Sequence, residues 1–135
     1  MTKIEEKTMT QSARDRWRRH SDAMSALATL ESHQRVFIQG AVATPLRLIE
    51  GLMGHAARLK DVEVTHLHTE GTTPYADPSC SGSFRVASFF VAANMREFLD
   101  CERVDYIPAF LSEIPQLFRS GTRPIDVALI HVSPP

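Results

Sequence analysis

Two hydrophobic patterns alternate along the chain. Apolar residues at helical spacing predict four helices, which cover about residues 21–32, 45–59, 94–99 and 112–119. Thr44 precedes Pro45 and is interpreted as the N-cap of the second helix, with the proline at its first position. Asn94 is interpreted as the cap of the third helix in the same way.

Between these segments lie short apolar runs bounded by turn residues, which predict strands. The runs are Val36–Gln39, Val62–His68, Val86–Val91, Tyr106–Ile107 and Val127–Val132. The second run alternates apolar and polar residues, so one of its faces is expected to be more exposed. The last run is apolar on both faces and is expected at the centre of the sheet. The sequence therefore predicts an α/β fold, with a largely parallel sheet covered by helices.

Length and charge narrow the class of protein. The 135 residues, 43% hydrophobic and 23% charged, fit one globular domain behind a polar, modestly basic lead-in of residues 1–20. A net charge of -1 does not favour nucleic acid as a partner. Only two cysteines occur, which favours a reducing, cytoplasmic compartment. No apolar run approaches the roughly 20 residues of a membrane span.

Ligands of open parallel sheets bind outside the carboxyl ends of the strands. Four segments are expected at that edge: residues 39–44, 69–81, 93–94 and 133–135. Gly40 allows close backbone approach, and the helix start that follows offers N–H groups to an anion, although such a turn can also be a simple connection. Glu70, beside Gly71, is the best-placed carboxylate, with a solvated loop glutamate as the alternative.

Other reactive side chains have structural interpretations. His55, His66 and His68 lack a carboxylate or cysteine at ligand spacing and are interpreted as polar residues of a half-exposed face, so no metal site is predicted. Cys80 has no adjacent Lys, Arg or His that would activate its thiol, Cys101 lies near a predicted helix end, and neither is interpreted as a nucleophile. Glu113 lies at a helix start, where a carboxylate suits the helix dipole. No catalytic residue is therefore predicted within this chain.

Three segments of the second half carry a resemblance. They are Asn94-Met95-Arg96-Glu97, the run from Asp105 to Pro115 (Asp-Tyr-Ile-Pro-Ala-Phe-Leu-Ser-Glu-Ile-Pro), and the stretch from Pro124 to Ile130 with the closing Val132-Ser133-Pro134-Pro135. Together they resemble the acetyl-CoA hydrolase/transferase family, which includes 4-hydroxybutyrate CoA-transferases. The similarity runs from about Ser21 to the end of the chain. Where relatives place a glycine, this chain has Glu102, which would resist a left-handed helix end.

The resemblance implies that residues 21–135 are an N-terminal CoA-transferase domain, with the fold shared by sugar-phosphate isomerases. It also implies that the catalytic glutamate belongs to a second domain absent from this chain. A coenzyme A thioester is then a substrate, beside a short carboxylate, and no cofactor is permanently bound. The substrate-binding residues expected here are Gly40, Ala43, Thr44, Thr69, Glu70 and Gly71.

Two interpretations of function stay open. In one, the chain works with a complementary C-terminal domain or subunit, as part of a CoA-transferase or acetyl-CoA hydrolase. In the other, it is a stand-alone module that binds a small molecule or a protein. The first predicts an exposed apolar patch near the carboxyl ends of the strands, where the second domain or a second copy of the chain would pack.

Overall fold

The computed structural model describes residues 18–99 and 102–133, which form a five-stranded parallel sheet. Its strands are β1 (Arg35–Ile38), β2 (Val62–His66), β3 (Phe84–Ser88), β4 (Val104–Tyr106) and β5 (Val127–Leu129). Their order across the sheet is β4-β3-β2-β1-β5, and every neighbouring pair is parallel. The predicted α/β fold is confirmed, and each strand starts within about two residues of its predicted position.

The helices are shorter than predicted. They are α1 (Ala23–Ala26), α2 (Leu46–Gly54) and α3 (Ile114–Arg119), with 3-10 turns at Ala56–Arg58, Pro74–Ala76, Pro78–Cys80 and Ala93–Phe98. The first helix was expected to reach Ser32. It ends at Ala26, and the Arg58 guanidinium donates hydrogen bonds to the carbonyl oxygens of Leu27, Ala28 and Leu30. In a longer helix these carbonyls would accept from backbone N–H groups instead.

Both predicted helix caps are wrong. The cap position of α2 is Pro45, without a side-chain hydrogen bond, and the 3-10 helix of residues 93–98 starts after Ala92. The side chains of Thr44 and Asn94 instead bind the backbone of neighbouring loops. The lead-in predicted for residues 1–20 falls largely outside the described residues.

Helices cover both faces of the sheet. On one face, Ile49 and Leu52 of α2 join a buried cluster with Val36, Ile38 and Val64. On the other face, α3 supplies Phe118, whose ring meets Phe37 and Phe89 edge-on at centroid distances of 5.5 and 5.8 Å. Within the described residues, the middle of the sheet is therefore covered by α2 on one face and by α3 on the other.

The more exposed face predicted for β2 does not exist, since all five residues of β2 are buried. The Glu63 side chain is 3% exposed. It accepts a hydrogen bond from Arg123 and forms an ion pair with Arg85, each at 2.6 Å. Arg35 lies 3.7 Å away. The polar face of β2 is buried because arginines from neighbouring segments neutralise and cover its carboxylate.

The predicted central position of β5 is wrong as well. This strand lies at the edge of the sheet, where it pairs with β1, and β2 is the central strand. Ala128 is exposed, and Ile130 and Val132 beyond the strand are 53% and 73% exposed. The apolar run reflects uncovered apolar surface rather than burial between two strands.

Candidate functional site at the carboxyl edge of the sheet

The segments that follow β1 and β2 meet at the carboxyl edge of the sheet. The Ala41 N–H donates to the His68 carbonyl at 3.1 Å, and Ala41 pairs with Thr69 in a parallel bridge. A Cβ on Gly40 would collide with the same His68 carbonyl oxygen. The close backbone approach predicted at Gly40 therefore occurs, and the backbone that approaches is that of the neighbouring loop.

The Thr44 hydroxyl joins these two segments. It donates to the Ala41 carbonyl at 2.6 Å and accepts from the Glu70 N–H at 3.0 Å. Ala41 itself has a left-handed backbone, with φ of 54°. A turn that holds a non-glycine residue in this conformation needs support, and the Thr44 hydroxyl provides it.

Asn94, which follows β3, holds the second segment from its other side. Its Nδ2 donates to the carbonyls of Thr69 and Gly71 at 2.8 and 2.9 Å. Residues 93–94 were predicted at this edge, but the hydrogen bonds from Asn94 to Thr69 and Gly71 were not. A short polar residue before a helical pattern is also typical of an N-cap, which is how Asn94 was interpreted. Residues 39–45, 69–71 and 94 thus form one hydrogen-bonded unit, which we call the edge site.

A neutral layer supports the edge site from below. The Thr69 hydroxyl lies 3.1 Å from the Tyr75 hydroxyl, and burial raises the pKa of Tyr75 to about 12. His66 is fully buried, with Nδ1 3.4 Å from the Ser88 hydroxyl, and burial lowers its pKa to about 4. Both groups are therefore uncharged near neutral pH.

The six predicted substrate-binding residues come together, but they differ in access. Thr44 and Thr69 are buried, and their hydroxyls are occupied within the protein. Glu70 and Gly71 are exposed, and no described residue accepts a hydrogen bond from the Ala43 N–H. Two groups of the edge site therefore have no partner among the described residues: the Ala43 N–H, just before α2, and the exposed Glu70 carboxylate.

Apolar surface surrounds the edge site. Val42 is 98% exposed, and with Pro45, Leu46 and Ile130 it lines a groove of about 440 Å³. A second groove, of about 620 Å³, is lined by residues that follow β2, β3 and β4: Leu67, His68, Phe89, Phe90, Tyr106, Ala109, Phe110, Leu111 and Ile114. The exposed apolar patch predicted near the carboxyl ends of the strands is confirmed.

The remaining candidates for chemistry lie elsewhere or are occupied. Within residues 18–99 and 102–133, no group of three or more His, Cys, Asp or Glu side chains could hold a metal ion. The burial of His66 corrects its predicted half-exposed position, and His55 bonds the Met24 carbonyl through Nε2 at 2.9 Å. Cys80 is half-buried, whereas Cys101 lies outside the described residues.

In the described ranges there is also no helix with the length and apolar character of a membrane span.

The fold and the edge site define the class: an open parallel α/β domain whose accessible polar groups lie at the carboxyl ends of its strands. Residues 4–135 match the N-terminal domain of acetyl-CoA hydrolase/transferase. The chain therefore belongs to the acetyl-CoA hydrolase/transferase family and corresponds to its N-terminal domain.

Relatives with similar sequences are CoA-transferases. The chain is 44% identical over 108 residues to the succinyl-CoA:acetate/propanoyl-CoA:succinate CoA transferase of Fasciola hepatica. This alignment covers 78% of this chain and 22% of that protein. It is 34% identical over 113 residues to the 4-hydroxybutyrate coenzyme A transferase of Clostridium kluyveri, with 84% and 26% covered. The chain thus spans about a quarter of the length of these relatives.

Solved structures share the fold. RipA from Yersinia pestis superposes with a TM-score of 0.73 at 20% identity, over 84% of this chain and 29% of that one. The 4-hydroxybutyrate CoA-transferase of Porphyromonas gingivalis gives a TM-score of 0.63 at 24% identity, over 84% and 24%. At these identities the similarity supports the architecture of the domain.

Proposed function

We propose that this chain forms one wall of the acyl or carboxylate pocket of an acyl-CoA:carboxylate CoA-transferase or acetyl-CoA hydrolase. A complementary domain would supply the catalytic glutamate. The observation that carries this proposal is the edge site, where the Thr44 hydroxyl holds the Gly40 turn against the Thr69–Gly71 loop. At the same edge the Ala43 N–H has no acceptor among the described residues, and Glu70 is exposed.

The edge site is suited to binding the acyl or carboxylate end of a substrate. The Ala43 N–H, just before α2, has no acceptor among the described residues, so it can donate to a carbonyl or carboxylate oxygen of the substrate. The buried layer behind it is neutral, so it adds no charge that would compete for that oxygen. A fixed donor of this kind orients the carbonyl for attack by a group that arrives from outside the domain.

The carboxylates of the described residues do not form an activated nucleophile. Glu113 accepts a hydrogen bond from the Phe110 N–H at 3.3 Å, in keeping with its predicted role at a helix start. Glu63 is bound by arginines on the far side of β2 from the α2 core. Glu70 is exposed and has no base beside it, so we assign it to substrate binding rather than to covalent catalysis.

The apolar surface around the edge site supports a partner at this position. Phe110 and Leu111 are 75% and 72% exposed, a large apolar surface for an isolated domain. Because the CoA-transferase relatives are about four times as long, the proposed occupant is a complementary C-terminal domain or subunit, and self-association of this chain is the alternative. Such a partner would exclude water from a bound CoA thioester.

Label exchange between acetyl-CoA and acetate tests the proposal. The chain alone should give no exchange, and addition of the complementary domain of a CoA-transferase should restore it. Glu70→Gln should weaken the restored exchange, whereas Glu97→Gln, at an exposed position outside the edge site, should not.

Two outcomes would contradict it. Exchange by the isolated chain that vanishes on Glu70→Gln would make Glu70 the nucleophile. No exchange with any complementary domain, together with tight binding of another small molecule or protein, would favour the stand-alone module. Gly40→Val is unsuitable as a probe of substrate binding, since any side chain there collides with His68.

A further inference from the structure

We propose that the open edge of β5 is a docking surface for an extended segment of the complementary domain, which adds a sixth strand to the sheet. This inference rests on the proposed function, which requires such a domain. It gives that domain a point of attachment outside the edge site, made by backbone hydrogen bonds and apolar side chains rather than by charges.

The two edges of the described sheet differ in how they are protected. At the β4 edge, Asp105 and Pro108 are exposed, and a charge or a proline is a usual means of preventing further strand pairing. At the β5 edge, the run from Val127 to Ile130 contains neither. Asp126, the charge before this run, accepts from the Arg35 N–H at 2.7 Å and is engaged within the domain. The β5 edge therefore lacks the protection that the β4 edge has.

The backbone of β5 carries hydrogen-bonding groups that point away from the sheet. The Leu129 carbonyl accepts from the Gln39 N–H at 3.0 Å, so the backbone groups of Leu129 face β1. Those of its neighbour Ala128 face the open edge, because successive strand residues alternate in direction. Ala128 is exposed, and neither the N–H nor the carbonyl of Ile130 has a hydrogen-bond partner among the described residues. A further strand can pair with this row of groups.

Apolar surface continues from the β5 edge to the edge site. Ile130, directly after β5, is exposed and lines the groove of about 440 Å³ together with Val42 and Leu46. Val132 is exposed as well. A strand beside β5 would lie next to this surface, and apolar side chains on that strand would remove it from water. We therefore expect the docked segment to be extended, apolar and without a charge at its centre.

The extent of this surface favours the complementary domain over a second copy of the chain. β5 has three residues, so the pairing of two β5 edges alone would bury far less than the roughly 1,200 Å² of a stable interface. A partner that also covers the groove beside the edge site would bury more. The alignments cover 22% and 26% of the two CoA-transferase relatives, so the rest of such a protein is long enough to supply both the strand and this cover.

Amide hydrogen exchange tests the docking surface directly. The complex is formed from the whole chain and the complementary domain of the relative that is 44% identical, and sedimentation follows its formation. Hydrogen exchange at the Ala128 N–H should slow roughly tenfold or more in the complex, because that N–H becomes bonded to the added strand. The Val104 N–H is the control. It faces the open edge of β4, since the Arg103 carbonyl accepts from the Val86 N–H, and its exchange should change less than twofold.

Substitutions at Ala128 separate the outward N–H from the side chain. Ala128→Pro removes the N–H, and an edge strand tolerates proline where that group faces solvent. Ala128→Ser keeps the N–H. In sedimentation, the dissociation constant of the complex should rise roughly tenfold or more with Ala128→Pro and less than twofold with Ala128→Ser. If urea unfolding shows that Ala128→Pro does not fold alone, Ile130→Lys replaces it, since a charge beside the added strand should weaken the complex in the same way.

The outcomes distinguish this inference from the proposed function. Unchanged hydrogen exchange at Ala128, in a complex that transfers label between acetyl-CoA and acetate, would overturn the docking surface and leave the proposed function intact. Protection of Ala128 that grows with the concentration of the isolated chain and persists in the complex would place a second copy at this edge and overturn the inference. A complex that protects Ala128 but transfers no label would support the docking surface and refute the proposed function. Absence of any complex would refute both.

Discussion

Replacement of Thr44 by valine would remove one hydroxyl from the edge site and keep the shape of the side chain. The hydroxyl makes two hydrogen bonds, to the Ala41 carbonyl and from the Glu70 N–H, and Thr44 is 6% exposed. Each such bond contributes about 1 kcal/mol net. We therefore expect Thr44→Val to lower the free energy of unfolding by about 2 kcal/mol.

Urea unfolding followed by circular dichroism measures this loss, with two variants for comparison. Thr44→Ser keeps the hydroxyl and loses a methyl group, so it should cost about 1 kcal/mol. Thr72→Val, at an exposed position of the same loop, should change stability by less than about 0.5 kcal/mol. If Thr44→Val were as stable as wild type, or more stable than Thr44→Ser, the hydroxyl would not join the two segments.

Three further predictions concern stability. Gly40→Ala should lower the free energy of unfolding by about 3 kcal/mol or more, because the added Cβ collides with the His68 carbonyl oxygen. Gly82→Ala should cost only about 1 kcal/mol of backbone strain, since its Cβ meets open space. Equal losses of stability in thermal unfolding would contradict this prediction. Glu63→Gln should lower the free energy of unfolding by about 3 kcal/mol, because the partly exposed Arg85 and Arg123 would lose the charge of their buried partner. Glu50 pairs with Arg47 at the surface, so Glu50→Gln should cost less than about 0.5 kcal/mol. Burial lowers the pKa of His66 from 6.5 to about 4, so between these pH values the unfolded chain binds a proton that the folded chain does not. The free energy of unfolding should therefore fall by roughly 3 kcal/mol as the pH drops from 6.5 to about 4. The urea midpoint should depend less on pH in His66→Gln, and an unchanged dependence would show that another group causes it.

The strands could be predicted because their signal is local. A run such as Val36-Phe37-Ile38 places apolar side chains on both faces, and each face is buried within the described domain or packed by α3. The same signal does not identify neighbours. The run at Val127–Leu129 is equally apolar, yet it lies at the edge, because strand order depends on connections between segments far apart.

The sequence predicted where the candidate site lies, but not the hydrogen bonds that build it. The carboxyl-edge rule brought Gly40, Thr44 and Thr69–Gly71 to the same region correctly. The contacts escaped prediction because Thr44 and Asn94 bind partners 26 and 25 residues away, beyond any local pattern. For the same reason, alternation along β2 gave the wrong exposure for Glu63, whose partner Arg123 is 60 residues distant.

The position of β5 beside β1 has a consequence for the order of folding. The contact between Arg35 and Asp126 at that pairing closes a loop of 91 residues, whereas the pairing of β1 with β2 joins Arg35 to Glu63. By the logarithmic dependence of chain closure on length, the longer loop costs about 1 kcal/mol more. Strands β1 to β4 can therefore assemble in sequence order as the chain leaves the ribosome, and β5 docks last. Until it does, one edge of β1 is open to pairing with another chain, so this is the interval in which the protein is most prone to aggregate.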